Sequence, residues 1–152
     1  MSIKSLKYQR LLAMVFAGAS LGMVYFWWQF FNAKLFVIED LKPLFKNVES
    51  YYDWKMCFFM PEIVLGFSLM GTAFLLWFDR LVNVRGILVA VTSCIAILLG
   101  MLGLHYGFST GLYAIEHAYA SDVLSADLSI TVVGIVGLCV LFCQKYVNAS
   151  IS

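Results

Sequence analysis

Glu62 is the one acid inside an otherwise apolar stretch of this chain. A carboxylate at membrane depth is costly unless something neutralises it, so its default reading is an ion or proton site. The spacing also offers a plainer use. If Met60 caps a helix, Pro61 falls at its first position, for which proline is pre-organised, and Glu62 meets the positive end of the helix dipole close to water. Both roles stay open, with Lys55 or His105 as the partner of an ion-binding Glu62.

Thioether and imidazole supply a second chemistry. Met101 and His105 are one helical turn apart and share a face, and His117 follows in the next loop. Such a set suits copper, or zinc and iron with a carboxylate added, so the expected cofactor is a metal ion on Met101, His105 and His117. No spacing-defined metal motif supports it, and the plainer expectation is two interfacial histidines bonded to water. Cys57, Cys94, Cys139 and Cys143 do not make a redox pair presented to one side, and a thiolate is disfavoured in apolar surroundings. Buried structural cysteines are expected.

The elements that must position these residues follow from composition. The chain has 152 residues, 62% of them hydrophobic and only 12% charged, with a mean hydropathy of +0.89. A soluble domain of this length cannot hide that much apolar surface, and a disordered chain would be richer in charge. The net charge of +1 gives no reason to expect nucleic acid. A membrane-spanning helix needs roughly 20 apolar residues. Four stretches qualify, at about 11–31, 60–78, 86–104 and 128–144. Backbone groups in lipid must be paired internally, so these are helices. The expectation is a single all-α domain, a bundle of four transmembrane helices with outer loops at 32–59 and 105–127. The basic start and Ala17-Gly18-Ala19 resemble a signal peptide, but the apolar run continues past them, as in an uncleaved signal anchor.

Lys4, Lys7, Arg10, Arg80, Arg85 and Lys145 share one side, against Lys34, Lys42, Lys46 and Lys55 on the other. The bias places both termini in the cytoplasm, in the inner membrane if the cell is bacterial. In the first outer loop, Leu41, Leu44, Phe45, Val48 and Tyr52 fall on one helical face. They predict a short amphipathic helix, either on the membrane surface or as a lid on the bundle. Aromatic residues at the span ends, Trp27 and Trp28 among them, read as interfacial anchors. The third loop, too apolar for a solvated linker, predicts a second surface helix over 110–120.

Small residues recur at helical spacing: Gly18 and Gly22, Ala96 and Gly100, then Gly103, Gly107 and Gly111. Such stripes let helices approach closely in lipid. With no nucleotide loop or nucleophile motif in the sequence, the leading expectation is a small membrane protein that acts as a subunit or scaffold by helix packing, with other membrane subunits or a second copy as partner and lipid around it. The alternatives are a small transporter or channel using Glu62, and the Met/His metalloprotein.

Overall fold

A computed structural model describes residues 3–32, 37–44, 48–81 and 84–149. The described residues form helices α1 (Ile3–Phe31), α2 (Ile38–Leu41), α3 (Val48–Trp77), α4 (Arg85–Thr110) and α5 (Ala118–Ala149), with one 3-10 turn at Leu112–Ala114. Four of them, α1, α3, α4 and α5, are long and apolar enough to cross a membrane, which makes this a small multi-pass membrane protein.

The helices run past the expected spans. α3 begins at Val48, so Pro61 and Glu62 lie in its interior and not at its N-terminus. Pro61 removes the intrahelical partner of the Cys57 carbonyl, which a transmembrane helix tolerates. What holds 48–60 in α3 is its buried stripe: Val48, Tyr51, Lys55, Glu62, Leu65 and Leu69 all face inward. The predicted helix across 41–52 is divided. α2 stops at Leu41 and 42–44 form a turn: Lys42 keeps helical dihedrals and bonds back to Ile38, but Pro43 has no N–H to continue the ladder, and Leu44 closes a tighter turn onto Leu41. Leu41 is buried within the core, while Lys34, Phe45, Lys46 and Asn47 lie outside the described residues.

α4 continues to Thr110 and ends because Gly111 takes a left-handed φ of 78°. The Ser109 and Thr110 hydroxyls return to the Tyr106 carbonyl. α5 then starts at Ala118, well ahead of the expected span, so no separate surface helix covers 110–120. At the opposite end, Asp79 and Arg85 form an ion pair across the short α3–α4 turn, where Asp79 and Leu81 are left-handed (φ 53° and 50°).

The bundle is built as two pairs, α1 on α3 and α4 on α5, with thinner seams between α1 and α5 and between α3 and α4. Within the first pair the Ser20 hydroxyl donates to the Gly66 carbonyl at 2.9 Å. Within the second, a Cβ at Gly100 would lie 2.8 Å from the Asp127 carbonyl, and one at Gly134 2.6 Å from that of Ser93. These glycines let the two backbones touch. Across the α3–α4 seam, the Thr72 and Thr92 hydroxyls pair at 3.3 Å.

Candidate functional site

Near the end of the bundle where α1 finishes and α5 begins, polar side chains converge inside the apolar core. Lys55 Nζ lies 2.8 Å from Glu62 Oε1, with the two side chains 3% and 6% exposed. The pair sits seven residues apart on α3, two turns along one face. Trp27 of α1 donates its indole N–H to Glu62 Oε2 at 2.8 Å, so both carboxylate oxygens are taken. The Lys55 ammonium also lies 4.9 Å from the Phe26 ring centre and 5.5 Å from that of Trp27, within cation–π range.

The second pair contributes Asp127, which is buried on α5. Tyr113, from the 3-10 turn, donates its hydroxyl to Asp127 Oδ2 at 2.8 Å. Burial first, and then the Asp127 carboxylate, push the Tyr113 hydroxyl far above its ordinary range, so it stays protonated as a donor. α4 accommodates this pair through its glycines. A Cβ at Gly103 would lie 2.6 Å from the Asp127 carboxylate, and one at Gly107 would run into the Tyr113 ring. Above the cluster, the Tyr119 hydroxyl donates to that of Tyr51 at 3.4 Å, and Trp54 stacks on Tyr106 at 3.9 Å.

Lys55, Glu62 and Asp127 all line one cavity of about 410 Å³ between α1 and α5. Its walls are otherwise apolar or small: Met14, Val15, Gly18, Ala19, Gly22, Met23 and Phe26 from α1, and Ala126, Ile130 and Val133 from α5. Met14, Gly18, Gly22, Ser125 and Ser129 are exposed on its rim, so it opens sideways on the flank of the bundle. The site therefore has one cation, two carboxylates and an apolar trough. That arrangement holds a ligand with a charged head and an apolar body, within the size range of small-molecule pockets.

The residues singled out from sequence fall in different places. Glu62 is in the cluster, bonded to Lys55. Gly18 and Gly22 border the cavity, where an added Cβ would meet nothing within 4 Å. Ala96 is fully buried in α4, Gly100 meets the α5 backbone, and Gly103 and Gly107 frame Asp127 and Tyr113. Gly111 is a turn residue that ends α4. Met101 and His105 are exposed on α4. His117 stands just before α5, where its Nδ1 accepts the Tyr119 backbone N–H at 3.1 Å and so caps the helix. Among the described residues, no group of three or more His, Cys, Asp or Glu side chains could hold a metal ion.

Two expectations are corrected. All four cysteines are exposed on the outer faces of their helices, not buried. Trp27 is buried on Glu62 and is not an interfacial anchor, whereas Trp28 is exposed. Sequence reasoning assigned Asp127 to a loop and missed its role. The available signal was its stripe: Val123, Asp127, Thr131 and Gly134 repeat at helical spacing, and all are buried. No protein-family model, curated protein or solved structure matches the chain.

Proposed function

We propose that the protein takes a ligand sideways from the bilayer into the cavity between α1 and α5, as a small membrane carrier or binding protein. One observation carries this reading. A cavity of about 410 Å³ joins an exposed trough of small and apolar residues to the buried charges of Lys55, Glu62 and Asp127. Charged side chains buried in a membrane protein are expensive, and facing a cavity is the usual reason to keep them there. The distribution of Lys and Arg supports both termini on the cytoplasmic side, which puts the polar cluster toward the outer face.

The test is native mass spectrometry of the protein extracted gently from its own membrane, beside Gly22→Leu. A 17.1 kDa chain that retains a small molecule, lost in Gly22→Leu, is the expected result. Equal retention in the variant, or an empty chain, refutes the reading.

A second reading is the membrane subunit or homo-oligomer, favoured by one observation. Among the described residues, a Cβ added at Gly18 or Gly22 would meet nothing within 4 Å, which leaves a small-residue face open to a partner helix. Partner chains or several copies in the same spectrum support it.

A further inference from the structure

The charges around the cavity do not balance, and the imbalance has an address. Lys55 is the one cation among the described residues that line the cavity, and it is committed to Glu62 at 2.8 Å, with the Phe26 and Trp27 rings over it. Glu62 is committed in turn, since Trp27 and Lys55 occupy its two oxygens. Asp127 is left. Tyr113 donates to its Oδ2, but a phenol carries no charge, and among the described residues nothing is bonded to Oδ1. With Lys55 held by Glu62, this buried carboxylate has, among the described residues, no cation in ion-pair contact and one oxygen without a donor. It borders a cavity far larger than a bare ion, with too few oxygens to cage a hard metal cation. Apart from Ser125 and Ser129 on its rim, the remainder of the cavity is lined by apolar and small residues. Its α1 wall runs from Phe26 to Met14, about 18 Å at 1.5 Å per residue.

We propose that this cavity binds an amphiphile with an ammonium head and a hydrocarbon tail, the head on Asp127 and the tail along the trough toward Met14. This deepens the reading of the cavity as a ligand site and rests on it. An anionic head is disfavoured, because Lys55 is already neutralised and Asp127 would repel it. The ammonium chemistry has two sources, an aminolipid of the bilayer or a free amphiphilic amine.

Both are tested on the purified protein in dodecyl maltoside micelles, by native mass spectrometry and tryptophan fluorescence. One arm titrates dodecylammonium against dodecyl sulfate. The other titrates phosphatidylethanolamine against phosphatidylglycerol with the same chains. The expected result is saturable one-to-one binding, at least tenfold tighter for the ammonium member of at least one pair. Asp127→Asn should remove that preference, and Tyr113→Phe should retain it. If only the first pair discriminates the source is a free amine, and if only the second, a lipid. Anionic and ammonium members binding equally, with both lost in Gly22→Leu, overturns the head-group inference and leaves the cavity reading standing. Binding of neither charge class overturns both. The wild-type comparison needs no variant, so misfolding of Asp127→Asn cannot rescue the proposal.

Discussion

Replacing Lys55 by Met should be among the most damaging single changes in the chain, and a second change should repair it. The Lys55–Glu62 pair is buried, and its charges are close enough to attract by about 4 kcal/mol at an effective dielectric near 20. Removing the ammonium alone strands the Glu62 carboxylate beside Asp127, a loss of about 3–5 kcal/mol by analogy with other broken buried pairs. Glu62→Gln alone strands the ammonium and should lose a similar amount. In the double variant no charge of the pair is left, the Met fills the lysine stem's space, and the Gln carbonyl still accepts from Trp27. Its stability should return to within about 1–2 kcal/mol of the wild type, since well-packed replacements of buried ion pairs are often neutral. The assay is reversible unfolding in mixed micelles, with all four proteins compared as a double-mutant cycle. A coupling energy of at least 2 kcal/mol is expected. Single losses that simply add, to within about 0.5 kcal/mol, would refute the claim that the two charges exist for one another.

Gly100→Ala should destabilise by about 1–3 kcal/mol, since its Cβ meets the α5 backbone, whereas Gly18→Ala should be neutral or slightly stabilising in the same unfolding assay. Trp27→Phe, which deletes the indole donor to Glu62, should cost about 1.5–3 kcal/mol and remove the buried component of the tryptophan emission. Changing all four cysteines to Ala should cost less than about 1 kcal/mol, because none of the thiols is buried, and a cooperative loss of folding would contradict that placement. Gly111→Ala should shift the thermal midpoint down by the equivalent of about 1–2 kcal/mol, the cost of a left-handed non-glycine residue.

The four spans were legible because membrane insertion is written in composition, and composition survives without knowledge of neighbours. The site was harder to read, for physical reasons. Hydropathy ends a span at the first charge, so Lys55 and Asp127 read as loop residues, although each sits on a continuous buried stripe of its helix. Glu62 stood out, yet Pro61 beside it suggested a helix start, because sequence alone does not reveal that 48–60 packs well enough to carry a helix through a proline. The glycines of α4 were recognisable as close-approach positions. That Gly103 and Gly107 make room for a carboxylate and a phenol, not for another backbone, depends on which residues α5 and the 3-10 turn bring opposite them.

The division of the bundle into two helix pairs gives the polar cluster a mechanical aspect. Trp27, Lys55 and Glu62 belong to one pair, while Asp127 and the turn bearing Tyr113 belong to the other. The way one pair packs on the other therefore fixes both the width of the trough and the distance from Lys55 to Asp127. The width of the trough and the spacing of its charges are thus set together.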